Sequence, residues 1–176
     1  MTNNIKLQEV CKQLHIPVVG TTSWPLPIEA REILQESNPC PFTAADIDER
    51  LIGTTDFMPH SAIVCLFPYH VPHEGPTNLS RYTWATDYHL VVTDYLQRLV
   101  DELKTTAPDA SFSIHCDTSP LADRYMAYLA GLGFYGKNKC FINPTWGSYI
   151  VIGTVLTTLE FESNTPIADT CMGCNR

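Results

Sequence analysis

Ala62-Ile63-Val64-Cys65-Leu66-Phe67 is an unbroken apolar run set between Pro59 and Pro68. A short run of this composition, rich in residues that pack well on a pleated surface and bounded by prolines, reads as an interior strand of a sheet. Downstream, Phe112, Ile114 and Cys116 alternate with polar neighbours as a half-buried strand does, and that strand ends on Asp117, just before Pro120. Between the two lies the clearest helical pattern, 87–104, with Val91, Tyr95, Leu99 and Leu103 expected on one face and Asp94, Gln97, Arg98 and Asp101 on others. Leu121 to Ala130 reads as a further helix, closed by Gly131 as a left-handed cap. Gly131 to Asn138 must then bend sharply, and 140–142 and 149–156 are expected as strands joined across a turn at Pro144 to Gly147. Toward the start, Leu7, Val10, Cys11 and Leu14 mark an amphipathic helix, 17–20 a short strand, and Pro27 the opening of a helix that fades near Ser37. Residues 38–43 are expected as loop, and 69–79 as a long loop of the kind that carries function. Helices interspersed with strands in this order predict an α+β fold, a mixed sheet with flanking helices.

The chain has 176 residues, 44% of them hydrophobic, which is enough to bury one core. A formal net charge of -8 excludes a generally basic surface, so any contact with nucleic acid must be local. No stretch reaches the roughly 18 to 20 apolar residues of a membrane span, and Met1 to Lys6 lacks a secretory layout, so a cytoplasmic protein is expected. Of seven cysteines, Cys11, Cys40, Cys65, Cys116 and Cys140 stand alone, as reduced thiols do, and only Cys171 and Cys174 are paired.

Cys171-Met172-Gly173-Cys174 matches the first spacing of a ferredoxin-type cluster run, C-x₂-C-x₂-C-x₃-C-P, although a redox dithiol or half of a zinc site uses the same spacing. His70, His73 and His89 fit no zinc pattern and read as structural or exposed. Asp117 stands between a strand and a turn, where it can serve as an acid facing a pocket or as the cap of the following helix. The glycines of 131–138 allow close approach of backbone to a large ligand, but they lack the dinucleotide-binding spacing. Lys137 within this bend can meet a ligand or solvent.

Read together, Asp117-Thr118-Ser119-Pro120-Leu121-Ala122-Asp123-Arg124, Ala130-Gly131-Leu132-Gly133-Phe134-Tyr135-Gly136-Lys137-Asn138, Gly147-Ser148, Thr157-Thr158-Leu159 and the Cys171 to Cys174 motif form an ordered set. Preceded by 80–89 (Ser80-Arg81-Tyr82-Thr83-Trp84-Ala85-Thr86-Asp87-Tyr88-His89), this set resembles the signature of the epoxyqueuosine reductases. The likeness covers roughly 81–176 and is only general before Arg50. Thr154, where the family commonly has an acidic residue, and Ala85, in place of a usual glycine, depart from it.

The resemblance implies a nitroreductase-like cobalamin-binding domain over 1–165, and over 166–176 the start of a ferredoxin-like module that is truncated here. It implies reduction of epoxyqueuosine in tRNA to queuosine by cobalamin and two 4Fe-4S clusters, fed by an external electron donor, in a monomer with no membrane partner. Asp117 matches the family's proton donor, its pKa expected to be raised by burial. Arg50, Ser80, Asp117, Phe141 and Ile152 match cobalamin contacts, and Cys171 and Cys174 cluster ligands. No Asp-x-His-x-x-Gly run is present, so no histidine is expected below the cobalt. The competing expectations are a stand-alone corrinoid-binding protein without catalysis and a relative of the reductive dehalogenases, the latter disfavoured by the missing twin-arginine signal.

Overall fold

The computed structural model describes residues 3–36, 46–53, 55–72, 75 and 78–168. A four-stranded sheet runs through them, built from β1 (Val18–Ser23), β2 (Ser61–Pro68), β3 (Phe112–His115) and β6 (Ile150–Thr157) in the order β1-β2-β6-β3. Every pairing is antiparallel, so the α+β class is as expected, while the sheet is uniform in direction where a mixed one was foreseen.

The 62–67 run is central because it is covered on both sides. Ile63 and Cys65 face a layer formed by α1 (Asn3–Gln13) and α4 (Tyr88–Lys104). Ala62, Val64 and Leu66 face the opposite layer, formed by α2 (Ile28–Glu36), α3 (Ile47–Ile52) and α5 (Asp123–Leu129). Each fully buried aliphatic side chain here stabilises the fold by about 1.5–3 kcal/mol of transfer free energy. With both faces buried the strand has no polar face, which is why it reads as a continuous apolar run.

The long helix has the expected bounds, but its inward face is rotated. Val92, Leu96, Leu99, Val100 and Leu103 are buried, whereas Val91 is exposed. Gly153 on β6 accounts for the seating, because a Cβ there would stand 2.7 Å from Val92 Cγ1 and 2.9 Å from Leu96 Cδ1. The helix axis lies against backbone at that point.

Gly131 closes α5 as foreseen. Its φ is 69°, and the bonds Leu132 N to Ala127 O (3.0 Å) and Gly131 N to Tyr128 O (3.0 Å) form the double closure of a Schellman cap. The anticipated hairpin between 140–142 and 149–156 is not formed. β5 (Phe141–Ile142) pairs instead with β4 (Phe134–Tyr135), inside the glycine-rich bend, and forms a separate two-stranded sheet. Asn143 drives the separation: its side chain is buried, donates to Leu132 O at 2.7 Å, and accepts from Thr145 N and Trp146 N at 2.9 and 3.0 Å. The segment after β6 folds back over β1, where Thr21 N donates to Asn164 Oδ1 at 2.7 Å and Asn164 N to Thr21 O at 2.9 Å.

Cys11, Cys65 and Cys116 are buried free thiols, whereas Cys140 is exposed. The expectations for the 38–43 loop, Cys40, His73, Cys171 and Cys174 fall outside the described residues. Among the described residues no helix is long and apolar enough to cross a membrane.

Candidate active site

The sheet register opens a gap. β2 accompanies β6 along its whole length, from Ile150 to Thr157, but β3 pairs only with Thr154 to Thr157. Beyond His115 the chain leaves the sheet, and the first turn of β6 is left without β3 beside it. A cleft of about 800 Å³ occupies this corner. Ile150, Val151 and Ile152 line one side, Ala30, Ile33 and Leu34 of α2 another, and the 119–125 segment that opens α5 a third. Tyr69, Tyr82, Tyr88 and Tyr135 supply the remaining aromatic surface, and Arg50 reaches in from α3. The volume lies in the upper part of the range of small-molecule and cofactor sites.

Asp117 stands at this corner on a very tight turn. Its φ is 60°, in the left-handed region, and Thr118 N donates to Cys116 O at 2.7 Å, enclosing Asp117 in a three-residue turn. Such a conformation costs about 1–2 kcal/mol for a residue with a side chain, and Asp tolerates it better than most. Asp117 does not cap α5, which begins at Asp123 after an N-cap at Ala122. Tyr88, in the first turn of α4, donates its hydroxyl to Asp117 Oδ2 at 2.5 Å. His89 Nε2 lies 3.7 Å from the same oxygen, and its Nδ1 lies 2.8 Å from Asp87 Oδ1. Tyr88 and His89 stack with centroids 4.1 Å apart.

These contacts perturb titration in readable directions. Burial first, and then the bond to the Asp117 carboxyl, raise the Tyr88 phenol well above its ordinary value. Burial pushes Cys116 up to about 11 and Tyr135 up to about 12. The hydrogen bond from the His89 side chain lowers Asp87. Asp123 moves the other way: burial pushes it up to about 7, the Asp117 charge adds to the shift, and Arg124 opposes it.

Of the residues singled out in the sequence, Arg50, Asp117 and Ile152 line the cleft together. Ser80 and Phe141 do not. Ser80 is an exposed residue preceding the 3₁₀ turn Arg81–Trp84, and its carbonyl accepts from Thr83. Phe141 is buried in the core and meets Tyr135 edge-on at 6.0 Å, so it supports the wall without forming it. The burial expected for Asp117 is corrected: its side chain is 62% exposed, because the turn carries it past the end of the sheet. The desolvated carboxyl is Asp123. Sequence reasoning passed over Tyr88, Asp123 and Ser119, although all three stand within the quoted motifs. Ser119 Oγ is buried without a hydrogen-bond partner among the described residues, and Ser119 lines the cleft. Thr154 is fully buried in the sheet and does not line it. Among the described residues, no three of His, Cys, Asp and Glu are grouped as a metal site.

The arrangement matches known proteins in sequence and in shape. Residues 57–118 match a family model described as epoxyqueuosine reductase QueG, DUF1730. An epoxyqueuosine reductase from Bacillus cereus is 41% identical over 96 residues, 54% of this chain and 25% of that protein. The solved epoxyqueuosine reductase of Streptococcus thermophilus superposes with a TM-score of 0.83 at 25% identity, covering 100% of this chain and 51% of that one. Over about half of its sequence and over its whole fold, the chain is similar to epoxyqueuosine reductases. An epoxyqueuosine reductase solved with an epoxyqueuosine-modified tRNA-Tyr stem loop superposes at 0.80 and 28% identity, covering 97% of this chain and 49% of that one. A further epoxyqueuosine reductase, from Bacillus subtilis, was solved with its catalytic aspartate loop swung out of the active site, and superposes at 0.79 and 27% identity, covering 98% of this chain and 49% of that one. The chain thus spans about half the length of these solved epoxyqueuosine reductases. A B12-dependent reductive dehalogenase shares the fold at 0.54 and 15% identity, covering 92% of this chain and 20% of that one.

Proposed function

We propose that the chain is the catalytic cofactor domain, residues 1–165, of an enzyme that reduces epoxyqueuosine in tRNA to queuosine with cobalamin held in the cleft. The observation that carries this reading is the cleft itself. An apolar strand edge at Ile150 to Ile152 shares the cleft with the turn that presents Asp117 and with Ser119, whose buried hydroxyl has no hydrogen-bond partner among the described residues. A flat macrocycle fringed with amides suits that surroundings: apolar walls take its faces, and Ser119 Oγ and the Arg50 guanidinium have hydrogen bonds to offer its rim. Arg50 and Ile152 are therefore the residues assigned to hold it, together with Ser119. When bound, reduced cobalamin supplies the electrons for breaking carbon–oxygen bonds.

The chain's own residues do the rest. Asp117 gives a proton to the epoxide oxygen as the ring opens, and its exposure lets it be recharged from water. Tyr88 fixes the carboxyl at one oxygen, which leaves the other free to face substrate. The tyrosine rings at 69, 82 and 88, one connected edge-to-face series, form the approach for the modified nucleotide. The tRNA partner follows from the relative solved with its stem loop. A net charge of -8 leaves most of the grip on tRNA to other parts of the enzyme. Residues 166–176 are assigned to the start of a cluster module, with Cys171 and Cys174 as ligands to a 4Fe-4S cluster that passes electrons from an external donor. The compartment is the cytoplasm, where tRNA is found.

Titrating the chain with cobalamin tests the reading. Saturable one-to-one binding is expected, and Asp117→Asn should keep that affinity while losing at least about 100-fold in conversion of an epoxyqueuosine stem loop under chemical reduction. Absence of corrinoid binding would remove the proposal.

A further inference from the structure

Reduction of an epoxide back to the parent compound removes one oxygen as water, so each turnover consumes two electrons and two protons. One carboxyl delivers one proton per turnover unless it is recharged midway. The cleft holds two carboxyls. Asp117 sits at its mouth, exposed and anchored by Tyr88. Asp123 follows six residues later, as the first residue of α5, and lines the same cleft.

Asp123 is unlike the chain's other carboxyls in its surroundings. It is half-buried, and among the described residues it has no hydrogen-bond or ion-pair partner. The groups around it account for this. Arg124, the cation on its own helix, sends its guanidinium to Lys139 O at 3.0 Å. Arg50 on α3 meets this segment through its backbone carbonyl, which accepts from Ala122 N at 3.3 Å. Tyr88 on α4 is committed to Asp117, and Cys116 is a thiol whose own pKa is raised. The charges that Asp123 feels are the like charge of Asp117 whenever that carboxyl is ionised, and the smaller, opposing charge of Arg124. Desolvation and that repulsion both favour the neutral acid, to about pH 7.

On the reading given above, we infer that Asp123 is a second catalytic carboxyl, supplying the proton with which the opened oxygen departs as water while Asp117 supplies the proton that opens the ring. The balance closes. The first carbon–oxygen bond breaks as the oxygen takes the Asp117 proton and becomes a hydroxyl. The second breaks as that hydroxyl takes the Asp123 proton and leaves as water. The two electrons from the reduced corrinoid remain between the two carbons as the second bond of a double bond. Both carboxylates are then reprotonated from solvent.

Two measurements on the chain test the assignment. The first labels the aspartate carboxyl carbons with ¹³C and follows their NMR shifts with pH. One resonance should titrate near neutrality, vanish in Asp123→Asn, and move to lower pH in Asp117→Asn, where the like charge is gone. Titration of Asp123 with the ordinary carboxylates overturns the proposal. The second loads the chain with cobalamin, reduces it chemically, and supplies the epoxyqueuosine stem loop. Asp123→Asn should bind cobalamin as before and convert at least about 100-fold less. Asp123→Glu should recover part of the rate with a displaced alkaline limb in the pH profile, a signature that a merely structural residue would not give. Equal conversion by wild type and Asp123→Asn defeats this inference alone. No conversion by the wild type defeats the underlying reading, and the inference with it.

Discussion

At the scale of single residues, the site depends on one short hydrogen bond and one longer contact to the same carboxyl. Tyr88 donates to Asp117 Oδ2, and His89 stands behind the same oxygen, so the turn that carries Asp117 is tied to the start of α4. A hydrogen bond to a charged group is worth about 1.5–3 kcal/mol when shielded, and less here because the carboxyl is exposed. Tyr88→Phe should therefore slow epoxide reduction by about 5- to 10-fold with cobalamin affinity nearly unchanged. Single-turnover rates beside a cobalamin titration would decide it, and an equal loss in both would mean that Tyr88 mainly builds the cleft wall. The left-handed backbone of Asp117 was not legible from sequence, because Asp before a turn is common and tolerates several conformations.

At the scale of elements, periodicity located most helices and strands but could not say which edge meets which. The helix now placed at Tyr88–Lys104 carries apolar residues on two adjacent ridges, and only the notch at Gly153 selects the Val92 and Leu96 ridge for the core. β5 and β6 are separated by a good turn sequence, yet Asn143 diverts that turn by binding Leu132 O, a partner eleven residues away that no local pattern reveals. The short helix α3 went unread because six residues carry too little period, although Asp46 caps it by accepting from Asp48 N at 2.8 Å. Gly131 was legible, since a glycine after a helical run has one usual meaning. Its substitution is correspondingly costly: at φ 69° an alanine is strained, and its Cβ would lie 2.6 Å from Thr165 O. Gly131→Ala should lose about 2 kcal/mol of stability, measured as a lower urea midpoint at unchanged slope.

At the scale of the whole molecule, one half-buried acid makes stability depend on pH. Asp123 holds its proton to about pH 7 in the folded chain, against an ordinary value of 3.8. A folded-state pKa raised in this way means no penalty below about pH 4, a penalty that grows between 4 and 7, and its full weight above 7. Asp123→Asn should accordingly stabilise the fold by about 2 kcal/mol at pH 8 and hardly at all at pH 4, read from paired urea titrations. A gain that is the same at both pH values would show that Asp123 is neutral or ionised throughout. The α+β class and the corner bearing Asp117 could be read from the sequence, whereas the desolvation of Asp123 depends on the tertiary cleft that it lines with residues of α2, α3 and β6. The shortness of β3 also has a consequence for how such a protein can change over time. Because the aperture arises where a strand stops early, none of the buried hydrocarbon is spent on making it. Replacing the exposed Asp117 and Thr118 alters the reactive lip and leaves the buried Cys116, Leu121 and Ala122 in place, so new chemistries can be tried there without first re-solving the folding problem.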